Sequence, residues 1–141
     1  MYEKTITLFN HYVNGTTDEW YATVLHGVDL IIDKSVIVSR YGADSKDKGV
    51  LHIGISGGEI QGNKYLDPKE WRNGPSEGIT FQTGEIFDFI LEGEWDGDKV
   101  VTDGNYTNGF YNHMNKTNDR VFSLSSVTQY TLIPHFEITV K

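Results

Sequence analysis

Strand patterns at both ends of the chain constrain its fold most strongly. In residues 4–10, apolar and polar side chains alternate, and a period of two residues predicts a β-strand. The closing segment, Val121–Lys141, contains two further strand patterns at 121–128 and 136–140. We therefore expect the last strand to close a β fold, so that the C-terminal segment belongs to the core and is not a tail.

Length and turn residues predict one compact domain. The chain has 141 residues, of which 15 are glycine and only 3 are proline. Many glycines among β-branched and aromatic residues are typical of strands joined by turns, and a chain of this length most simply forms one domain. We predict a single mainly β domain over residues 1–141, a small β-barrel or β-sandwich with long loops and one short helix at about 106–118.

The predicted helix rests on the spacing of large side chains. Four of them share one face of a helix with about 3.6 residues per turn: Tyr106, Phe110, Tyr111 and Met114. Asp103 or Asn105 would cap its first turn. A shorter helical turn is predicted at residues 67–71, where Asp67 would be the N-cap and Pro68 the first helical residue.

The first two strands predict a hairpin. Asn14-Gly15 is a strong turn signal, but the strand patterns at 4–10 and 20–25 lie far from it. We therefore expect a hairpin with a long loop. His26-Gly27 predicts a kink, after which the second strand continues to Asp33.

A second hairpin is predicted between residues 79–82 and 86–92. The alternation in its second arm would point Asp88 and Glu92 outward, where carboxylates are normally solvated. The remaining predictions are strands at 35–40 and 50–56, an exposed loop at 41–48 and a glycine-rich segment at 56–64.

Charge and cysteine content exclude several classes of function. The formal net charge is −8 and no cysteine is present, so disulfides and thiolate metal sites are impossible. A broad basic face that grips nucleic-acid phosphates is disfavoured, because it needs clustered lysines and arginines. The opening residues show no signal-peptide pattern and no apolar run approaches the ~20 residues that span a membrane, so we expect no membrane partner.

Acidic side chains are concentrated in residues 85–103, where Lys99 is the one basic residue. The acids are Glu85, Asp88, Glu92, Glu94, Asp96, Asp98 and Asp103. Paired carboxylates can hydrolyse glycosides, which leaves a hydrolase as the least favoured alternative. The five histidines match no common metal or catalytic spacing. We predict no enzyme activity, no catalytic residue, no metal site and no cofactor.

Large aromatic residues lie in or beside predicted loops: Trp20, Tyr65, Trp71 and Trp95. Such side chains can anchor interfaces or stack on sugars, and they can equally cap the ends of a small barrel. The first possibility keeps open a carbohydrate-binding β-sandwich, in which Trp71 and Trp95 would be the stacking platforms.

Short motifs along the chain resemble small proteins of tailed phages that infect Gram-positive hosts. In chain order they are TITLFN at 5–10, WYATVLHGV at 20–28, GADS at 42–45 before VLHI at 50–53, YLDPKEW at 65–71, and SSV at 125–127 with PHFEI at 134–138. The order runs through nearly the whole chain. The similar proteins are head–tail joining components of the stopper, or head-closure, class.

The resemblance implies a small β-barrel that assembles as a homo-oligomeric ring in the phage neck. Its partners would be portal or adaptor proteins on one side and tail-terminator or tail proteins on the other, with DNA only as cargo passing through the lumen. Such a protein is made in the bacterial host cytoplasm, ends in the virion and has no catalytic site. The segment 106–118 is longer and more helical than the turn of simple stoppers, which leaves open another minor capsid or tail-terminator-type role.

The expected interface residues lie in two loops and near the C-terminus. Phe136 can equally be a core residue, because it lies in a predicted strand. The full set is Asp44, Ser45, Lys46, Asp47, Lys48, Tyr65, Pro68, Lys69, Trp71, His135 and Phe136.

Overall fold

The alternating segments pair into a mainly β structure, as predicted. A computed structural model describes residues 3–33 and 48–141. The strands are β1 (Lys4–Asn14), β2 (Thr17–Asp33), β3 (Lys48–Gly54), β4 (Glu59–Ile60), β5 (Asn63–Lys64), β6 (Phe89–Glu92), β7 (Val100–Thr102), β8 (Val121–Tyr130) and β9 (His135–Val140). The helices are α1 (Pro68–Trp71) and α2 (Phe110–Thr117), with a 3-10 turn at Asp103–Asn105.

Six strands form a closed barrel, which decides between the two predicted architectures. Their order is β1, β6, β8, β9, β3 and β2, and β2 pairs again with β1. Each neighbouring pair is antiparallel. The seventh strand of the sheet, β7, pairs with β2 outside the closed circuit.

The first hairpin has a tight turn, so the expectation of a long loop was wrong. The ladder of β1 and β2 runs outward until Asn14 pairs with Thr17, and Gly15 adopts φ +61° in the turn. The predicted kink is confirmed at Gly27, which has φ +61° and lies where the β1–β2 register shifts. A positive φ costs glycine little because it has no Cβ.

Apolar residues pack in two regions. The barrel interior holds a cluster that includes Ile6, Leu8, Leu51, Ile53, Ile90, Phe122, Phe136 and Ile138. A second cluster packs α2 on the outside of β1, β2 and β6, and includes Phe9, Trp20, Phe89, Phe110 and Met114. Consecutive residues of β1 are therefore buried on both faces.

Both helices are confirmed, with shorter bounds than predicted for α2. It begins at Phe110, directly after Gly109, whose φ of +88° is not helical. The N-cap residue is Gly109 and neither of the two predicted caps, although Asp103 Oδ1 accepts a 2.9 Å hydrogen bond from the Phe110 N–H. At α1, Asp67 occupies the N-cap position and Pro68 begins the helix, but the Asp67 side chain makes no capping hydrogen bond.

The second predicted hairpin is wrong in its first arm. Only Phe89–Glu92 is a strand, and it pairs with β1 and β8 instead of with residues 79–82. Asp88 consequently points inward and is completely buried, contrary to the expectation that it faces solvent.

The Asp88 carboxylate accepts four hydrogen bonds that join three segments. Its donors are the Asn10 and Gln82 amide groups at 2.8 Å and the backbone N–H groups of His11 and Gln82 at 2.8 and 2.7 Å. Complete burial raises the pKa of Asp88 to about 7, although these hydrogen bonds oppose the rise. This polar cluster fixes the 80–88 segment against β1.

The described residues contain no helix long and apolar enough to cross a membrane. The predicted strand at 35–40 and most of the predicted loop at 41–48 lie outside the described residues.

A chain that ends at Tyr130 should not fold. The truncation removes β9, which pairs with β8 on one side and β3 on the other, and it also removes the buried side chains of Phe136 and Ile138. Losing each of these costs about 2–5 kcal/mol, which together consumes most of a stability of about 5–15 kcal/mol. Circular dichroism should show no cooperative thermal transition.

The matched control is Leu132→Ser in the full chain, because Leu132 is 96% exposed and its replacement should leave the melting temperature unchanged. A truncated chain that melts cooperatively would show that β9 is not required to close the barrel.

Asp88→Asn should remove the contribution of this carboxyl group to the pH dependence of stability. The folded pKa of about 7 lies above the ordinary 3.8. At a pH between these two pKa values, the native state therefore binds one proton more than the unfolded state. The stabilisation is therefore fully present below about pH 4 and lost as the pH rises through about 7, by roughly 4 kcal/mol at most. Urea unfolding at several pH values measures the difference between wild type and variant.

Glu85→Gln removes the same unit of charge at an exposed position and controls for the change in net charge. Parallel stability–pH curves for wild type and Asp88→Asn would contradict the assignment.

Candidate functional site

The turn between β8 and β9 exposes apolar side chains. Leu132 is 96% exposed and Ile133 is 75% exposed, and Tyr130 at the end of β8 is exposed as well. We call residues 130–133 the hairpin tip. Adjacent large apolar side chains on a surface are typical of regions that another molecule covers.

Contacts at its base hold the hairpin tip in place. Tyr130 is the register partner of His135, and their rings stack with centroids 4.8 Å apart and planes inclined by 12°. The Pro134 carbonyl accepts a 3.3 Å hydrogen bond from the Ile55 N–H, which ties the turn to the chain that follows β3. The exposed residues are thus presented by an anchored turn.

Three polar side chains lie together at the base of the tip. We call His52, His135 and Glu137 the outer cluster. His52 and Glu137 are register partners between β3 and β9, which places them side by side on one face of the sheet. His135 precedes Glu137 by two residues and so shares that face. One ligand atom of each residue lies within 4.8 Å of the other two, and all three residues are half-buried.

A backbone carbonyl orients the His135 ring. The Nδ1 atom lies 2.7 Å from the carbonyl oxygen of Ile133, and since a carbonyl only accepts hydrogen bonds, Nδ1 is the donor. The neutral ring then carries its lone pair on Nε2. The His52 ring lies beside it, with centroids 5.8 Å apart.

A second group of one histidine and two carboxylates stabilises the fold through hydrogen bonds. His11, Asp18 and Asp103 also bring ligand atoms within 4.8 Å of one another. However, His11 Nε2 pairs with Asp18 at 2.5 Å, and Asp103 Oδ1 accepts hydrogen bonds from Trp20 Nε1 and the Phe110 N–H, both at 2.9 Å. The atoms that could bind a metal are thus already engaged within the fold, and Asp103 joins α2 to β2.

Glu92, in the acidic segment 85–103, forms ion pairs that stabilise the fold. Arg120 binds Glu92 through two hydrogen bonds of 2.7 and 3.1 Å, and Lys4 lies 3.3 Å from the same carboxylate. The hydrogen bond from Arg120 lowers the pKa of Glu92, and Lys4 adds to this effect. Glu92, Asp88 and Asp103 are thus held by partners within the fold.

The expected interface residues are placed in different environments. Lys48 and Lys69 are exposed, and Tyr65, Pro68 and His135 are half-buried. Burial raises the pKa of the Tyr65 phenol, and the Asp67 carboxylate raises it further. Four of the expected residues lie outside the described part of the chain: Asp44, Ser45, Lys46 and Asp47.

The prediction that Trp71 and Phe136 are interface residues is corrected, because both side chains are buried and neither offers a surface to a partner. Phe136 lies inside the barrel with its ring centroid 4.6 Å from that of Tyr65. Trp71 is fully buried, packs edge-on against Tyr12 and Tyr21, and donates a hydrogen bond to the Gly78 carbonyl. An indole buried in this way cannot stack on a sugar.

The other two tryptophans also pack inward. Trp20 is buried and its ring lies 3.8 Å from that of His11, nearly parallel to it. Trp95 is half-buried and contacts Phe9 and Phe110 edge-on. Trp20 and Trp95 therefore pack between the barrel exterior and α2, which disfavours the carbohydrate platform.

A cleft of about 440 Å³ lies between β2, on the face that carries Tyr21 and Thr23, and the 59–79 segment. Tyr21, Asn63 and Ile79 line it, together with the oppositely charged Lys64 and Glu77. Its lining mixes charges of both signs, so it selects no one class of ligand.

Sequence reasoning missed the hairpin tip and two members of the outer cluster. The Leu132-Ile133 pair follows a strand pattern and precedes Pro134, and this position could have indicated an apolar turn. His52 and Glu137 occupy polar positions of alternating strands, but only the β3–β9 register shows that they meet.

Comparison with known proteins gives a family and no described activity. No curated protein and no solved structure matches the chain. A family model described as "Family of unknown function (DUF6751)" matches residues 1–141. Because this match spans the whole sequence, the chain belongs to the DUF6751 family.

Proposed function

We propose that the chain is a non-enzymatic structural protein of a phage neck. It would be a head-closure, or stopper, subunit that assembles as a ring between the portal–adaptor stack and the tail and helps to retain packaged DNA. It would be made in the bacterial host cytoplasm and end in the virion. The observation that carries the proposal is the exposed apolar hairpin tip on a closed barrel.

The closed barrel limits how subunits can join. Each of its six strands has a partner on both sides, so most of the circuit offers no edge for pairing. Among the described residues, the main sheet leaves free edges at β7, which has three residues, and at residues 126–130 of β8, which pair with β9 alone. Contacts with neighbours can therefore come largely from turns and projecting side chains, and among the described turns the hairpin tip exposes the largest apolar side chains.

The tip suits the asymmetric contact that a ring requires. In a closed ring each subunit uses two different surfaces, so a projecting element on one subunit meets another surface on the next. Burying a leucine or isoleucine side chain contributes about 1.5–3 kcal/mol. Leu132 and Ile133 together can therefore supply a large part of such a contact.

The charge of the chain suits a channel through which DNA passes. The net charge is −8, and Glu85, Glu94, Asp96 and Asp98 are all exposed. An acidic surface repels phosphates and does not retain DNA by ion pairing. The subunit would thus close the head by its position in the ring and release DNA without first breaking salt bridges.

The proposal is tested by assembly. The purified full chain is analysed by native mass spectrometry and negative-stain microscopy, alone and with any portal, adaptor or tail proteins that the neighbouring genes encode. We expect rings, or a complex with one of these partners. A chain that remains monomeric alone and in every mixture would refute the proposal.

Replacing both apolar residues of the tip, Leu132→Asp with Ile133→Asp, should weaken assembly. Each substitution places a charge where a contact needs an apolar side chain, so we expect at least about a tenfold loss of affinity for each residue. Light scattering coupled to size-exclusion chromatography, over a range of concentrations, measures the loss.

Asn115→Asp adds a charge at an exposed position of α2, away from the tip, and is the control. All variants should keep the wild-type circular dichroism spectrum and melting temperature, since the replaced side chains are exposed. Unchanged assembly of the doubly substituted tip would exclude the tip as the contact.

A further inference from the structure

The outer cluster joins two imidazoles and a carboxylate on one face of the β3–β9 sheet. We propose that His52, His135 and Glu137 bind a divalent transition-metal ion of the zinc class. This site does not depend on the neck role, because its evidence is the geometry of three side chains and not the exposure of the tip.

The distances fit a metal site after small side-chain adjustments. The three ligand atoms lie within 4.8 Å of one another. Zinc bonds of about 2.0–2.1 Å in tetrahedral geometry separate ligands by about 3.3 Å, so each atom needs to move by roughly 1 Å or less. Small rotations of these half-buried side chains achieve this without moving the strands.

The backbone holds the ligands in position before any ion binds. β3 and β9 share six register pairs from Gly49–Val140 to Gly54–His135, and two of these pairs contain all three ligands. The inward neighbours of the ligands, Ile53 and Phe136, are buried in the barrel core. Rigid strands place a metal site more accurately than loops do.

His135 has the hydrogen bond that metal-binding histidines usually have. Its Nδ1–H donates to the Ile133 carbonyl at 2.7 Å, which fixes the ring and leaves the Nε2 lone pair for a metal. The Tyr130 ring, stacked at 4.8 Å, restricts the imidazole further. This arrangement distinguishes the outer cluster from the His11 group, where Nε2 is paired with Asp18.

The donor set selects the class of ion. Calcium and magnesium prefer oxygen ligands throughout, whereas imidazole nitrogen suits zinc, nickel, copper and iron. Two histidines and one glutamate form a three-ligand zinc set that leaves a fourth position for water or another donor. Since the three residues are only half-buried, a water molecule can supply the fourth ligand.

Titration of the full chain with Co²⁺ tests the site, because Co²⁺ occupies zinc sites and absorbs visible light when coordinated. We expect one equivalent to produce a visible absorption band that Zn²⁺ removes. His52→Gln, His135→Gln and Glu137→Gln should each weaken Co²⁺ binding at least about tenfold. His113→Gln, at an exposed histidine on α2, should have no effect.

Melting temperatures measured without metal establish that each variant is folded, and Glu137→Gln is the most conservative because it retains the size of the side chain. Absence of a band in the wild type overturns the proposal. A band that persists unchanged in folded Glu137→Gln and His52→Gln would also overturn it, because the ion would then bind elsewhere.

Discussion

The pairing of β9 with two neighbours is the interaction on which the rest of the structure depends. Six register pairs join it to β8 and six join it to β3, and without them the circuit is open. Its inward residues Phe136 and Ile138 complete the core. Its outward residues His135 and Glu137 form most of the outer cluster. Closure, packing and the candidate site therefore share one strand, because successive side chains point to opposite faces.

Local patterns were sufficient where neighbouring residues decide the structure. The turn at Asn14-Gly15, the short helix after Asp67 and the strand pattern of residues 136–140 were all predictable. The last residues of β1 and the first residues of β2 are not predictable in this way, because residues 11–19 are mostly polar and their sequence favours a loop. Main-chain hydrogen bonds extend a ladder without apolar side chains, so the hairpin continues well past the core.

Prediction failed where distant segments decide the structure. Asp88 was expected to face solvent because it follows an alternating pattern, but the chain there leaves the ladder and turns the carboxylate toward four donors. Trp71 lies in a polar segment and is nevertheless buried against Tyr12 and Tyr21. His52 and Glu137 meet only through the β3–β9 register, and no spacing rule within one segment reveals such a pair.

The hairpin tip and the outer cluster are physically connected. The Ile133 carbonyl that orients His135 belongs to the tip, and Tyr130 of the tip stacks on the same ring. If the outer cluster binds an ion and the tip binds a partner, the ion would restrict the turn and the partner would restrict the imidazole. Such coupling would be reciprocal, so that metal binding and partner binding would change each other's affinity by the same factor. Because β9 is anchored in the barrel by its pairing with β3 and β8, the coupling would act on the turn and leave the strands in place.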